Sequence, residues 1–295
     1  MKSDSKMKKL PEIFKVKKRT FSFELFPPKT KKGYQNLKKT LSQLVKLKPD
    51  FISCTYGAGG GNREKTLDIV ELIEKKHKTT SVAHLTCVLH TKEEINAILH
   101  DIQSRGVCNI LALKGDAPVD QPDWEPTEDN FKYSSQLCAF IRENFKDYFG
   151  IGVAGFPEGH PEAPNLSKDR EFLKEKIENG ADFVITQLFF DNHDYFQYVE
   201  ELKEIGVTAR IIPGILPITN YAGLLKFCET CKTTITEEIK TIFEPIADDP
   251  QKTLGAGIQF AVKQCKELLD GGAPGVHFYC LNKVHPVDTI LKQIK

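Results

Sequence analysis

The chain has 295 residues and a net charge of +1, from 41 Lys+Arg against 40 Asp+Glu. This balance excludes a strong overall electrostatic attraction to nucleic acid or to an anionic membrane. No apolar run approaches the roughly 18 residues that a membrane-spanning helix needs, so we expect a cytoplasmic protein with no nucleic-acid or membrane partner. The eight cysteines are then expected to be reduced thiols.

The N-terminus is basic. Residues 1–19 contain eight basic side chains and only two acidic ones, Asp4 and Glu12. A basic segment can bind polyanions, but a chain terminus of this composition is more often solvated and frayed. We therefore assign residues 1–18 to a basic N-terminal arm and residues 19–295 to a single domain.

From residue 19 onward the sequence predicts an alternation of strands and helices. Apolar residues at helical spacing, such as Ile95, Ile98 and Ile102, fill the intervals between short β-rich runs. The eight runs are at 20–26, 50–56, 80–88, 109–115, 150–156, 182–190, 209–216 and 275–281. Such alternation forms parallel βαβ units, and eight of them predict an α/β fold of the (β/α)8 TIM-barrel type. An additional helical segment, between residues 220 and 252, precedes the last strand.

Polar or ionisable residues stand at or just beyond the ends of most predicted strands. Because a parallel barrel carries its chemistry at the carboxyl ends of its strands, these residues predict a functional site at that rim. Each has a structural alternative, since a strand-end Thr or Asp is often a helix N-cap and a lone His is often a core residue. The set is Glu24, Thr55 with Tyr56, His84, Lys114 with Asp116, His160, Gln187, and Asn282 with Lys283.

The first predicted strand, TFSFELF, contains a carboxylate, Glu24, inside an apolar run. Strand alternation places Glu24 with Ser22 on one face, toward the barrel interior, and Phe21 with Phe23 on the face that packs against helices. Glu24 is therefore a candidate functional residue at the rim. The alternative is a structural carboxylate paired with a nearby Lys or Arg.

Several familiar motifs are absent or incomplete. The histidines lack HxH and HExxH spacing, so no metal site is expected, and neither a GxSxG elbow nor a P-loop lysine motif occurs. The loop YGAGGGN, residues 56–62, either cradles a phosphate on its backbone N–H groups or is a flexible turn; as a Rossmann fingerprint it is one glycine short. The CxxC pair Cys228 and Cys231 falls late in a predicted helix, where neither a zinc site nor a redox motif is expected.

Motifs spread over nearly the whole chain resemble, in order and spacing, those of the methylenetetrahydrofolate reductase family. The resemblance runs from residue 19 to the C-terminus and is carried by FSFELFPPK, SCTYGAGG, AHLTC, LALKGD, GFPEGHPEA, ADFVITQLFFD, IIPGILPI and HFYCLN. It implies a TIM-barrel flavoenzyme of one-carbon metabolism and methionine biosynthesis, with non-covalent FAD, that reduces 5,10-methylenetetrahydrofolate to 5-methyltetrahydrofolate. NADH or NADPH would be the co-substrate, and hydride would reach the folate through the flavin in a ping-pong sequence.

We also expect a homo-oligomer. The length of the chain resembles that of members without a regulatory domain, so inhibition by S-adenosylmethionine is not expected.

The same resemblance implies roles for individual residues. Glu24 would be the general acid that protonates the folate nitrogen and opens the five-membered ring, because hydride needs a more electrophilic carbon than the closed aminal offers. Asp116 would lie near the flavin pyrimidine and hydrogen-bond the pterin. The flavin would be held by Thr55, Tyr56, Ala58, His84, Lys114, Gly115, Asp116, Phe156, His160, Ala163, Asp169 and Lys176, and the substrates by Gln187, Phe227, Tyr279 and Lys283.

The chain departs from the family pattern at five positions. Lys114 and Lys283 stand where many members carry Arg, so a point charge replaces a planar fork. Phe156 stands where Tyr is common, and Glu175 and Gly223 stand where bacterial relatives often carry Arg and Gln. Two other functions remain open: another flavin-dependent barrel oxidoreductase, similar to proline dehydrogenase, or a non-catalytic barrel subunit of a redox complex.

Overall fold

The computed structural model describes residues 9–56, 63–117 and 121–295. Its strands form one sheet in the order β7-β6-β5-β4-β3-β2-β1-β9-β8, and every pairing between named strands is parallel. The strands are β1 Thr20–Leu25, β2 Phe51–Cys54, β3 Ser81–Thr86, β4 Asn109–Leu113, β5 Gly150–Gly155, β6 Phe183–Thr186, β7 Arg210–Ile212, β8 Gly214–Ile215 and β9 Gly275–Phe278.

The barrel closes at a bent strand. β7 and β8 lie at opposite ends of the sheet order but are separated in sequence only by Pro213, so they are two parts of the single strand predicted at 209–216. Proline cannot donate to the ladder, yet the Pro213 carbonyl accepts a hydrogen bond from the His277 N–H at 2.9 Å. The first part of the bent strand, β7, pairs with β6, and the second part, β8, pairs with β9. These pairings close the sheet and confirm the predicted α/β barrel.

Helices cover the outside of the barrel. Their bounds are α1 Leu10–Val16, α2 Lys31–Leu44, α3 Arg63–Lys75, α4 Lys92–Ser104, α5 Ser134–Phe145, α6 Leu166–Glu178, α7 Asn192–Glu204, α8 Tyr221–Cys231, α9 Glu237–Phe243, α10 Pro250–Asp270 and α11 Val287–Ile294, with short 3-10 helices at Val45–Leu47 and Glu244–Ile246. The apolar stripe predicted at Ile95, Ile98 and Ile102 is buried in α4. Helices α8 and α9 form the additional segment predicted before the last strand.

Helix α1 contradicts the expectation of a frayed terminus over the residues that the structure describes. Leu10 is 0% and Ile13 7% exposed, and both pack with interior residues of the strands. The Leu10 N–H also donates to the Asn109 side-chain oxygen at 2.7 Å, and the Arg210 guanidinium lies 4.8 Å from the centre of the Phe14 ring. Apolar residues at helical spacing within the basic segment thus bury against the barrel. The division of the chain at residue 18 stays a prediction.

The barrel wall separates a helix-facing core from a partly polar interior. Phe23 belongs to the helix-facing cluster and Phe21 packs partly buried against it, as strand alternation predicted. The interior holds an apolar cluster that includes Phe51, Val82 and Phe183. On the side of β1, β2, β3 and β9 the interior is polar, with Ser22, Glu24, Ser53, His84 and His277 all buried. No helix in the described part of the chain is long and apolar enough to cross a membrane.

Candidate active site

A buried polar cluster surrounds Glu24 inside the barrel. We call Glu24, Ser53, His84 and His277 the polar cluster. The Glu24 Oε2 atom lies 3.3 Å from His84 Nε2, 3.6 Å from His277 Nε2 and 3.5 Å from the Ser53 hydroxyl, which donates to it. Strand register produces this arrangement, because Glu24 on β1 is opposite Ser53 on β2.

Glu24 is not held in a conventional ion pair. Its side chain is buried, and in the described ranges its partners within ion-pair distance are the two imidazoles rather than a Lys or Arg. Burial lowers the pKa of His84 to about 4, against the opposing effect of the Glu24 charge. His84 is therefore neutral near neutral pH, and in the described ranges no Lys or Arg pairs with Glu24.

Two hydrogen-bonded contacts fix the backbone that carries Glu24. The Cys280 thiol donates to the Glu24 carbonyl at 3.0 Å. The Asn282 side chain pairs with Phe26, accepting from its N–H at 2.9 Å and donating to its carbonyl at 2.8 Å. Because these contacts join the ends of the first and last strands of the barrel, they hold the acid in place at the rim.

Other rim residues follow their strands directly. Gln187 comes immediately after β6, where its N–H donates to the Gly155 carbonyl at 2.7 Å and its side-chain oxygen accepts from the Leu188 N–H at 2.9 Å. Tyr279 comes immediately after β9 and donates from its hydroxyl to the Thr186 carbonyl at 2.5 Å. Burial raises the pKa of Tyr279 well above its usual value, so this hydroxyl keeps its proton. Thr55, after β2, donates from its N–H to the Leu25 carbonyl.

A second group of predicted residues lies on the loop between β5 and α6. The Asp169 carboxylate, on the first turn of α6, accepts from the His160 N–H at 3.0 Å and pairs with Arg170 at 2.9 Å. The Phe156 ring meets the His160 ring edge-on, with centroids 4.6 Å apart. Ala163 closes this turn by donating its N–H to the His160 carbonyl, so the loop has a defined shape.

Two basic side chains face the same loop. Lys176 donates to the Ala154 carbonyl at 3.1 Å, with its ammonium 5.9 Å from the centre of the Phe156 ring, and burial lowers its pKa. Lys114, directly after β4, pairs with Glu162 of the loop at 2.5 Å. These ammonium groups, with His160, make this rim a donor-rich surface suited to phosphate oxygens.

The KGD turn after β4 needs its glycine. Gly115 has φ +82, and an added Cβ would lie 2.9 Å from the Thr86 Cβ, so a larger residue would be strained there. Asp116 follows and is exposed. The pKa of Cys231 is raised mainly by burial, and the charges of Asp116 and Glu24 raise it further. The last turn of α8 therefore lies within the electrostatic reach of both predicted catalytic carboxylates.

Comparison with known proteins identifies the family. A model of the methylenetetrahydrofolate reductase family matches residues 7–295. The chain belongs to the methylenetetrahydrofolate reductase family. It is 34% identical over 264 residues to a 5,10-methylenetetrahydrofolate reductase of Pectobacterium carotovorum subsp. carotovorum, which covers 89% of this chain and 85% of that protein.

Longer relatives and a solved structure extend this result. Methylenetetrahydrofolate reductase (NADH) 1 of Arabidopsis thaliana is 38% identical over 283 residues, which are 93% of this chain but 48% of that protein. The chain thus spans about half the length of the plant and yeast relatives that it matches. A solved protein of Clostridium thermocellum that binds two copies of 5-methyl-5,6,7,8-tetrahydrofolic acid matches with TM-score 0.66 and 14% identity over 96% of both chains, which shows a shared fold.

Three residues predicted from the reductase motifs lie outside the polar cluster. Tyr56 is buried, and its hydroxyl lies 3.1 Å from His90 Nε2. Phe227 is half-buried on α8 against a separate apolar cluster, and Lys283 is exposed. Ala58 and the glycines of its loop lie outside the described residues.

Two other features of the chain lie outside the polar cluster. A cavity of about 650 Å³ borders His160 and Ala163 and includes the carboxylates of Glu158, Asp191 and Asp194, but it does not reach the barrel interior. The CxxC pair lies at the end of α8, as predicted, and burial raises the pKa of each thiol to about 11. Within the described ranges, no group of three or more His, Cys, Asp or Glu is arranged to hold a metal.

Two members of the polar cluster were missed from the sequence, Ser53 and His277. Both lie inside predicted strands rather than at their ends, so a search for polar strand ends passes over them. Strand alternation could have indicated His277, because it lies two residues before the predicted site residue Tyr279 and therefore on the same face of the strand. The approach of His277 to Glu24, however, depends on the pairing of the first and last strands, which motif order alone does not show.

Proposed function

We propose that this chain reduces 5,10-methylenetetrahydrofolate to 5-methyltetrahydrofolate, using FAD and a reduced nicotinamide. The observation that carries the proposal is the position of Glu24, a buried carboxyl group at the mouth of a reductase-family barrel that, among the described residues, pairs with two histidines and with no Lys or Arg. The folate-binding neighbour from Clostridium thermocellum, which shares the fold, is consistent with a folate substrate. The activity rests on these observations and on family membership.

The residues present suit a flavin. His84 Nε2 is a buried polar atom with no hydrogen-bond partner among the described residues, and such an atom needs a partner that a bound group can supply. Lys114, Lys176 and His160 offer donors to phosphate oxygens along the neighbouring rim. Bound FAD would carry hydride from the nicotinamide to the folate. The residues that would hold it are Thr55, Tyr56 through its backbone, Ala58, His84, Lys114, Gly115, Asp116, Phe156, His160, Ala163, Asp169 and Lys176.

Glu24 would act as the general acid. The methylene carbon of the closed folate ring is a weak electrophile, and protonation of the ring nitrogen opens it to an iminium that accepts hydride. The His84 imidazole beside Glu24 is neutral near neutral pH, and Glu24 would supply the proton that this step consumes. The hydrogen bonds of Cys280 to the Glu24 carbonyl and of Asn282 to the Phe26 carbonyl would fix the backbone position of the acid at the rim.

Other rim residues would bind and orient the two substrates in turn. Asp116, exposed on the turn after β4, would accept hydrogen bonds from the pterin. Gln187 would contact folate and nicotinamide, while Phe227 and Tyr279 would flank the bound rings. Lys283, exposed beyond β9, would reach the anionic part of the folate. The NADH in the names of the plant relatives favours NADH as donor, with NADPH as the alternative.

Flavin content and product identity test this proposal. The purified protein, supplied with FAD, is expected to be yellow and to convert 5,10-methylenetetrahydrofolate to 5-methyltetrahydrofolate under anaerobic conditions with NADH or NADPH. Chromatography of the products distinguishes the methyl folate from unreacted substrate. A protein that binds no added FAD would overturn the flavin assignment. A yellow protein that oxidises the nicotinamide but leaves folate unchanged would favour another flavin-dependent barrel oxidoreductase. A homo-oligomer and a cytoplasmic location stay predictions.

A further inference from the structure

A second polar layer lies below Glu24, deeper in the barrel. His277 on β9 is 0% exposed and stands opposite Ser22 of β1 in the strand register. Its Nδ1 atom lies 2.8 Å from the Ser22 hydroxyl. Its Nε2 atom lies 3.4 Å from the Ser53 hydroxyl and 3.6 Å from Glu24 Oε2. Both ring nitrogens of this buried histidine are therefore directed at polar atoms of the barrel interior.

Packing holds the His277 ring in this orientation. The ring stacks on Phe51 with centroids 5.7 Å apart and planes at 11°. Tyr279 meets it edge-on at 5.6 Å and 87°, and the Tyr279 hydroxyl is itself anchored to the Thr186 carbonyl. A ring confined on two sides cannot turn its nitrogens away from Ser22 and Glu24. The hydrogen-bond partners of the two nitrogens therefore determine which one carries the proton.

The Ser22 contact fits a proton on either ring nitrogen, because a hydroxyl can donate or accept, and the acceptor oxygen of Glu24 on the Nε2 side favours the tautomer with its proton on Nε2. In a neutral imidazole one nitrogen donates and the other accepts, and the partner of one fixes the state of the other. If the Ser22 hydroxyl donates to Nδ1, the proton sits on Nε2, where it faces Glu24 Oε2 and the Ser53 hydroxyl. His84, the other imidazole at Glu24, lies 3.3 Å from the acid, but in the part of the chain that the structure describes its Nε2 atom has no hydrogen-bond partner, so this contact lacks hydrogen-bond geometry.

We propose that His277 is a positioning residue for the general acid, with Ser22 fixing its proton on Nε2. This inference rests on the proposed function of Glu24. When Glu24 gives its proton to the folate nitrogen, the carboxylate left behind gains the His277 Nε2–H as a donor, directly or through the Ser53 hydroxyl. Hydrogen bonds to a charged acceptor are stronger than those to a neutral one, so the contact stabilises the state after proton release more than the state before it. The 3.6 Å separation is expected to shorten in that state, as catalytic contacts often do.

The central variant is His277→Phe, which keeps a ring to stack on Phe51 and removes both nitrogens. We expect the rate of flavin reduction by nicotinamide to stay unchanged and the rate of folate reduction to fall by about tenfold, the value of one strengthened hydrogen bond. The alkaline limb of the pH profile of folate reduction should move to higher pH, because the carboxylate form has lost a donor. His277→Gln, whose amide can again donate near the Nε2 position, should restore part of the rate.

Two further variants separate positioning from packing. Ser22→Ala removes the partner of Nδ1 and should shift the same pH profile in the same direction. Phe51→Leu disturbs the stacking but leaves both nitrogens and should lower stability without moving the profile. If Phe51→Leu moves the profile as far as His277→Phe, the role of His277 is packing and the inference is wrong. If His277→Phe does not fold, His277→Gln and Ser22→Ala decide the question.

A spectroscopic measurement tests the tautomer without activity. Histidine-selective ¹⁵N NMR of the folded protein, assigned by comparison with His277→Gln, should show the His277 proton on Nε2, and Ser22→Ala should weaken that preference. A proton on Nδ1 in the wild-type protein would overturn the inference. If the wild-type reduced flavin is not reoxidised by the folate, the proposed function fails. If it is reoxidised and the His277 and Ser22 variants behave like wild type, only this inference fails.

Discussion

The Glu24→Gln substitution separates the two half-reactions proposed for this chain. Glutamine has the shape of glutamate and keeps an oxygen for the Ser53 hydroxyl, which donates to Glu24 at 3.5 Å, but it cannot supply the acidic proton. Loss of a general acid costs about 10²–10⁴ in rate, or about 3–5 kcal/mol of transition-state stabilisation. Flavin reduction by nicotinamide needs no such proton and should keep its rate.

The structure also limits the effect of this substitution on stability. The His84 imidazole beside Glu24 is neutral near neutral pH, and among the described residues no Lys or Arg pairs with Glu24. We therefore expect the free energy of unfolding to change by less than about 1.5 kcal/mol, whereas breaking a buried ion pair would cost about 3–5 kcal/mol. Stopped-flow absorbance at the flavin band measures both half-reactions, and urea denaturation measures stability. Equal loss in both half-reactions, or a stability loss of ion-pair size, would refute the role assigned to Glu24.

Three further predictions concern other parts of the chain. Asp116→Asn should shift the flavin potential and weaken folate binding by about tenfold or more, the value of a hydrogen bond to a charged group; spectroelectrochemistry and equilibrium binding that show neither change would remove Asp116 from the site. Burial lowers the pKa of His84 from 6.5 to about 4, so on acidification the unfolded chain binds a proton at this residue before the folded chain does. The free energy of unfolding should therefore fall by up to about 3 kcal/mol as the pH is lowered from 6.5 to 4. His84→Asn should flatten that loss in urea titrations, and an unchanged pH dependence would contradict it. Leu10→Ala should cost about 2–5 kcal/mol, while Val16→Ala, at a side chain 81% exposed, should change stability by less than about 0.5 kcal/mol; equal effects would mean that α1 does not pack on the barrel.

Most of the barrel could be predicted because its sequence pattern is local. Near-continuous apolar runs typical of covered parallel strands and helical stripes such as Ile95 to Ile102 mark the elements directly. The additional segment before the last strand was visible for the same reason. Strand alternation was enough to predict that Glu24 faces the interior and Phe23 the helices. The contacts of Glu24 with His84 and His277 and the place of Phe23 in the helix-facing cluster confirm it.

The remaining features depend on contacts between distant parts of the chain. Basic residues dominate the composition around helix α1, so the segment was predicted to be a solvated arm. The burial of Leu10 and Ile13 depends instead on interior residues of distant strands, against which they pack. The contact of His277 with Glu24 requires the register of the first strand with the last, more than 250 residues apart. Tyr56 was placed at the rim by its motif, yet its side chain turns toward His90, a choice that local sequence does not encode.

Reoxidation of the reduced flavin by folate tests the central claim most directly. The FAD-loaded wild-type protein is first bleached under anaerobic conditions with a stoichiometric amount of NADH, or of NADPH in a parallel sample. It is then mixed with 5,10-methylenetetrahydrofolate in a stopped-flow instrument. The account predicts recovery of the oxidised flavin spectrum together with one equivalent of 5-methyltetrahydrofolate, and a recovery slowed by about 10²–10⁴ in Glu24→Gln. A flavin that stays reduced in the presence of the folate, or that recovers equally fast in Glu24→Gln, would contradict it.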